Sequence, residues 1–400
     1  MVIMNIKRNI IKDLYADLST KHISILLGAR QVGKTFLLRE VEKEAKRRGL
    51  KTAFFDLEQP ADLLSFSQED NKLIEWICRS GDVVFIDEFH YLKNASHIFK
   101  AIYDRREKIK IFASGSSAME IHTHLKESLA GRKQIYKIYP CSLSEISQAI
   151  SRNPFEYYCQ YGGMPGLVEL DSTLGKQNLL VDILQSYLLK DIKALIKEEN
   201  IRAFNNLLFL LAQYQGSTVA VANLANEVRL TAASIEAYLE ILTQTQVNFA
   251  LHSYAANYAN ELKKSKKYYL YDLGIRNALL KNFAGLRERQ DAGAIAESFV
   301  FLELQKQLNP ESEIRFWRLK SGEEVDFIWI RNQVAFPIEV KLSWKTEALP
   351  DGLKSYLKRY PKTKKAFIVS DRSGKTRYDE GVEIIYKTWS EVAEIADEAT

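Results

Sequence analysis

At 400 residues, 46% of them apolar and 27% charged, the chain is long enough for two or three domains, each burying its own core. Its formal net charge of +5 is compatible with a nucleic-acid partner, DNA before RNA, but lacks the strongly basic balance of a dedicated binder. Cys78, Cys141 and Cys159 have no CxxC spacing and read as small buried hydrophobes, while the start MVIMNIKRNIIKDL has no apolar leader and no run approaches ~18 apolar residues, so a cytoplasmic chain without a membrane span is expected.

From His22 to about Tyr139 short apolar runs alternate with helical patterns: HISILL, TFLLREVEKEAKRRG, TAFFDL, NKLIEWICRS, VVFIDE, ASHIFKAIYDRR, KIFASG, AMEIHTHLKESLAG and KQIYKIY. This rhythm predicts an α/β module over residues 1–140, a parallel sheet covered by helices on both faces. The octet Gly28, Ala29, Arg30, Gln31, Val32, Gly33, Lys34, Thr35 follows the first strand, opens the first helix and fits G-x-x-x-x-G-K-[ST]. Consecutive backbone N–H groups there can surround a phosphate at the positive end of the helix. Lys34 is then placed to neutralise β and γ phosphates, and the Thr35 hydroxyl to complete a magnesium shell, so Mg2+ and ATP are the expected ligands, although no motif distinguishes adenine from guanine.

About fifty residues on, VVFIDEFH sets four apolar residues before Asp87 and Glu88. In such sheets ligands bind at the carboxyl ends of strands, where Asp87 would hold the metal through water and Glu88 would orient and deprotonate the attacking water. In KIFASGSS, Ser114, Ser116 and Ser117 either sense the γ-phosphate or cap the next helix. Arg132, one helix later, reads either as an arginine finger, in cis or from a neighbouring subunit, or as a surface arginine.

Pro140 breaks the pattern. Residues 141–200 read as a helical lid interrupted by YGGMPG at Tyr161–Gly166. Residues 201–290 read as a winged helix-turn-helix: a Leu-rich helix, VAVANLANEV, a break at Arg229 and Leu230, a second short helix opened by Thr231 as its cap, then a β-rich wing. That second helix carries Ser234, Ile235, Glu236, Tyr238 and Glu240, an acidic set unlike a base reader. Lys263, Lys264, Lys266 and Lys267 in ELKKSKKYY either contact phosphates or decorate a polar turn.

The last segment, residues 291–400, begins with the helix AIAESFVFLELQKQL, continues with strands IRFWRLK, EVDFIWI, VAFPIEVKL and KAFIVS, and places a helix between the last two. EVDFIWIRNQVAFPIEVKL reads as a hairpin turning at Arg331–Gln333, with Glu339 and Lys341 on one face, Asp326 opposite and Glu297 on the preceding helix as a fourth group. This resembles the D…ExK arrangement of PD-(D/E)xK nucleases, in which two carboxylates (here Asp326 and Glu339) hold magnesium against the scissile phosphate and a lysine positions water. A surface hairpin of alternating charge is the plain alternative. From Trp344 to Arg377 ten Lys and Arg stand against three Asp and Glu, which suits a nucleic-acid backbone or a solvated helix face.

Taken together, GARQVGKT, VVFIDEFHYL, ASGSSAMEI, SLAGR, YGGMPGLVE and KYYLYDLGIRNAL resemble the AAA+ family ATPases of bacteria and archaea that carry a C-terminal domain of unknown function. The resemblance spans nearly the whole chain and implies an AAA+ module, a winged helix and a C-terminal fold similar to restriction endonucleases. AAA+ modules commonly work as rings, so it implies a homo-oligomer as well.

Overall fold

A computed structural model describes residues 6–105, 109–116, 129–186, 201–255, 266–344 and 348–399. The chain divides into two compact units, the first being Met1–Cys141 with Gln244–Gln246 and the second Ser142–Thr243 with Val247–Thr400. Among the described residues no helix is long and apolar enough to cross a membrane.

The first unit is built on strands β1 (Ile23–Gly28), β2 (Thr52–Asp56), β3 (Val83–Asp87), β4 (Lys110–Ser116) and β5 (Lys133–Lys137), in the order β2-β3-β4-β1-β5 and parallel throughout. This is the α/β module expected from the alternating rhythm. β1 and β3 are buried at every position because helices cover both faces, which is why they read as unbroken apolar runs. The helix Lys34–Arg47 packs on the sheet through Leu37, Leu38, Val41 and Ala45, spaced for one helical face and fully buried. Each of the larger three contributes about 1.5–3 kcal/mol of transfer free energy. Its last turn carries Lys46 and Arg47, which suit the negative end of the helix dipole. A short helix at Pro60–Ser65 leaves no trace in the apolar pattern; Pro60 at its first position starts it. Of the predicted helix AMEIHTHLKESLAG, residues 118–128 lie outside the described residues, as does Ser117.

The second unit opens with Ser142, whose hydroxyl accepts from the Glu145 N–H while Glu145 returns the bond to the Ser142 N–H. Helices Pro154–Tyr161 and Thr173–Ile183 follow. YGGMPG and KYYLYDLGIRNAL, far apart in sequence, meet here. The buried Asp272 carboxylate caps the helix Leu273–Leu280 by accepting from Ile275 N–H at 3.1 Å, and also accepts from Gly163 N–H at 2.7 Å. Asn277 donates to the carbonyls of Cys159 and Gln160 at 2.9 Å each. These motifs hold each other in place, with no chemistry needed to explain their residues.

Next come the helix Ile201–Gln213, β6 (Thr218–Val219), helices Val221–Val228 and Ala232–Gln244, β7 (Asn248–Leu251) and β8 (Lys266–Leu270), the strands forming an antiparallel sheet β6-β8-β7. Arg229 takes a left-handed backbone (φ 59) at the turn between the two short helices, and the Thr231 hydroxyl accepts from Ser234 N–H at 3.1 Å. The remainder is a six-stranded mixed sheet, β13-β14-β12-β11-β10-β9, made of β9 (Ser312–Arg318), β10 (Glu324–Arg331), β11 (Val334–Val340), β12 (Lys365–Ser370), β13 (Arg377–Asp379) and β14 (Val382–Thr388). Asn332 and Gln333 both have positive φ and make the tight β10–β11 turn, within the turn segment expected from the sequence. The β13–β14 hairpin adds to the expected strands; it turns at Glu380 and Gly381, both at positive φ.

Candidate functional site

The phosphate-binding octet sits where β1 ends and the first long helix begins. A Cβ at Gly28 would meet the Ile138 carbonyl oxygen at 2.3 Å, so only glycine fits that point. Gln31 (φ 61) and Gly33 (φ 95) curl the loop, and Lys34 enters the helix with its side chain 5% exposed. The Lys34 ammonium donates to the carbonyls of Gly28 (3.2 Å) and Ala29 (2.9 Å), which fixes it over the loop. Burial pulls the Lys34 pKa below its usual value, against the opposing pull of Glu88 and Asp87. One contributor has no signal in the sequence. Arg8, upstream of the module's first strand, donates to Val32 O at 2.8 Å and to Tyr139 O at 2.7 Å, bracing the loop from behind.

Asp87, 2% exposed, ends β3 beside the loop. It accepts a hydrogen bond from the Ser114 hydroxyl and lies within reach of Thr35. Burial raises its pKa, and the Ser114 and Thr35 hydroxyls oppose that rise. Ser114 therefore orients the carboxylate, a use different from both expected ones, sensing the γ-phosphate or capping the next helix. Glu88 follows in a left-handed conformation (φ 51), which swings its side chain off the strand direction, and His90 Nδ1 stands 3.1 Å from Glu88 Oε2. Although burial works to raise the Glu88 pKa, His90 and the nearby charge of Lys34 bring it below the ordinary value of 4.5. Thr35, Asp87, Lys34 and Glu88 thus converge at the carboxyl ends of β1 and β3. A hydroxyl and a carboxylate are hard oxygen donors of the kind magnesium accepts alongside water and phosphate oxygens. Among the described residues no group of three or more His, Cys, Asp or Glu side chains is placed to hold a metal unaided.

Arg132 lies elsewhere. Its carbonyl accepts from Ile23 N–H at the start of β1, so it stands at the amino ends of the strands, away from its own chain's octet. Its guanidinium, partly exposed, pairs with Asp104 at 2.8 Å.

In the helix Ala232–Gln244, Ile235 and Tyr238 are buried, so only Thr231, Glu236 and Glu240 among the residues singled out reach solvent fully. Lys263 and Lys264 lie outside the described residues. Lys267 overturns the expectation of a phosphate contact or polar turn: it is 1% exposed, and its ammonium meets Glu297 Oε1 at 2.9 Å and also contacts Glu324 Oε1.

The C-terminal group does assemble. β10 and β11 pair so that Phe327 faces Ile338, which sets Asp326 beside Glu339. Asp326 accepts from Val340 N–H at 2.8 Å, and Glu339 Oε1 accepts from the Lys341 ammonium at 2.6 Å. Glu339 is 4% exposed in a strand with β10 on one side and β12 on the other, so it is no surface charge. Burial, with the charges of Glu339 and Glu297, raises the Asp326 pKa, and burial, with Glu297 and Glu324 and against Lys341, raises that of Glu339. A cleft of about 650 Å³ opens on this group, lined in part by Glu324, Glu339, Lys341, Trp344 and Lys354.

Residues 20–147 match a family model described as an AAA domain, and residues 152–285 and 292–389 match two models described as domains of unknown function. An uncharacterized protein of Haemophilus influenzae is 26% identical over 412 residues, covering 95% of this chain and 96% of its own. An uncharacterized protein of Mycobacterium tuberculosis is 23% identical over 338 residues, covering 84% of this chain and 73% of its own. Among solved structures, AMPPCP-bound DnaA from Aquifex aeolicus aligns at 14% identity and a TM-score of 0.32, covering 57% of this chain and 85% of that one. The match at residues 20–147 coincides with the parallel sheet and its octet: the chain is a mixed α/β protein whose N-terminal module is a P-loop domain of the ATP-binding AAA+ type.

Proposed function

We propose that the chain hydrolyses the ATP it binds and couples nucleotide state to a winged helix at residues 201–290 and a nuclease-like domain at residues 291–400. The observation that carries this reading is the meeting of Lys34, Thr35, Asp87 and Glu88 beyond the carboxyl ends of the buried strands β1 and β3, which flank β4. Lys34 neutralises the β and γ phosphates, Thr35 and Asp87 hold the cation's shell, and Glu88, kept ionised, orients the attacking water and takes its proton. Magnesium supplies charge compensation across the transferring phosphoryl group. The winged-helix assignment is supported by the order helix, strand, two helices, hairpin, and the acidic exposed face of its second helix favours an intramolecular relay over base reading. The test is phosphate release from ATP by the full chain with magnesium, abolished by chelation; a chain that binds ATP and releases no phosphate under any assembly state defeats the proposal.

A ring is the arrangement in which Arg132 acts. Its exposed pair with Asp104 is worth little, so the guanidinium is free to exchange that partner for a neighbour's phosphate. Mixing inactive Lys34→Ala subunits with inactive Arg132→Ala subunits should restore part of the hydrolysis, since some interfaces then hold both intact halves. No recovery, with assembly verified by sedimentation, counts against a role in trans.

A second reading, an ATP-gated nuclease acting on DNA, is favoured by the assembly of Asp326, Glu339 and Lys341, the last two of which line a cleft. The wild type should then nick DNA with magnesium or manganese, and Asp326→Ala should remove cleavage without touching ATP hydrolysis. An uncut substrate under both metals, with and without ATP, points to a switch whose C-terminal domain only binds a partner.

A further inference from the structure

The cluster at Asp326 and Glu339 contains a cation that the nuclease-like reading does not use, and the role inferred for it rests on that reading. Lys267 reaches the cluster from β8, in the small sheet of the winged-helix segment. Its ammonium is held by Glu297 and Glu324, lies 5.4 Å from the centre of the Phe316 ring, and feels the charge of Asp326. Both acceptors have a second partner: the Tyr269 hydroxyl donates to Glu297 Oε1, the oxygen that Lys267 also meets, at 2.6 Å, and Arg318 pairs with the other oxygen of Glu324 at 3.2 Å. A buried ammonium costs several kcal/mol to desolvate, so such a lysine persists only when fully paired. This one is.

Four carboxylates, Glu297, Glu324, Asp326 and Glu339, surround the point, yet no three of them are arranged to hold a metal. Lys267 accounts for that, because it keeps Glu297 and Glu324 for itself. Glu339 Oε2, by contrast, is buried with no hydrogen-bond partner, beside Asp326 and facing the cleft. Charge leads to the same division. Against the four carboxylates, all ionised as a bound metal requires, stand Lys267, Lys341 and Arg318, which leaves one negative charge. One divalent ion would reverse that to a single positive charge, suited to one phosphodiester; a second ion would leave an uncompensated excess in a buried place.

We infer that Lys267 is the resident cation of this site, occupying with a fixed ammonium the position a second divalent ion would take, and limiting the site to one ion between Asp326 and Glu339. The site is therefore a one-metal site by construction.

Manganese binding to the nucleotide-free full chain, followed by electron paramagnetic resonance, tests this. The wild type should take one ion that Asp326→Asn abolishes, and Lys267→Met should take an additional ion or hold the first at least tenfold more tightly. A folded Lys267→Met protein with wild-type count and affinity overturns the inference. Should that variant fail to fold, the wild type answers directly by reductive methylation and peptide mass analysis. Lys267 should stay unmodified with and without saturating manganese, and labelling that rises with the metal would show displacement and overturn the inference. A wild type that binds no ion while Lys267→Met binds one would sink the metal reading of Asp326 and leave the resident cation standing.

Discussion

Glu88→Gln should bind ATP as the wild type does and release phosphate at least about a hundredfold more slowly, the usual loss when a general base is removed. The substitution keeps side-chain length and the neighbourhood of His90, so binding, which rests on Lys34 and the loop, is spared. Because His90 and Lys34 outweigh burial and hold the Glu88 carboxyl below its ordinary range, the base is ionised at neutral pH. Wild-type turnover should accordingly show no acid limb from this group until the pH falls below its ordinary range. Single-turnover phosphate release with a parallel fluorescent-nucleotide titration measures both quantities. Wild-type turnover in Glu88→Gln would remove the assignment of the base.

Lys34→Ala should show the opposite split, losing affinity before any question of rate arises. Truncating one member of a charged, desolvated contact costs on the order of 2–5 kcal/mol, which corresponds to roughly thirty- to several-thousandfold weaker nucleotide binding. The same change removes the donor that satisfies the Gly28 and Ala29 carbonyls, so a fall of about 1 kcal/mol in unfolding free energy should accompany it. Calorimetric titration and chemical denaturation separate the two effects. Near-normal affinity in a folded Lys34→Ala protein would mean the octet does not hold the phosphates.

What is legible in the sequence is what is local in it. The octet, the apolar strand before Asp87 and the Asn332–Gln333 turn are each written in a few consecutive residues, and the fold places them as the pattern suggests. Arg8 is invisible there because bracing a loop 24 residues away leaves no periodic trace. Lys267 misleads because lysines in a run normally mean solvent; the available hint is that it stands two before Tyr269 and four before Tyr271, both buried, which is the spacing of one strand face. The β13–β14 hairpin escapes because Arg377–Asp379 is too short to show alternation.

The Ile138 carbonyl beside Gly28 bears on how the octet should be read in relatives. Its first glycine is demanded by the chain's own strand packing, whether or not a nucleotide is ever bound. A descendant that abandoned ATP would be under strong pressure to keep Gly28 and under far less to keep Lys34 or Thr35. Drift at those last two positions, with the glycine intact, is therefore the mark by which a retired copy of this module would be told from a working one.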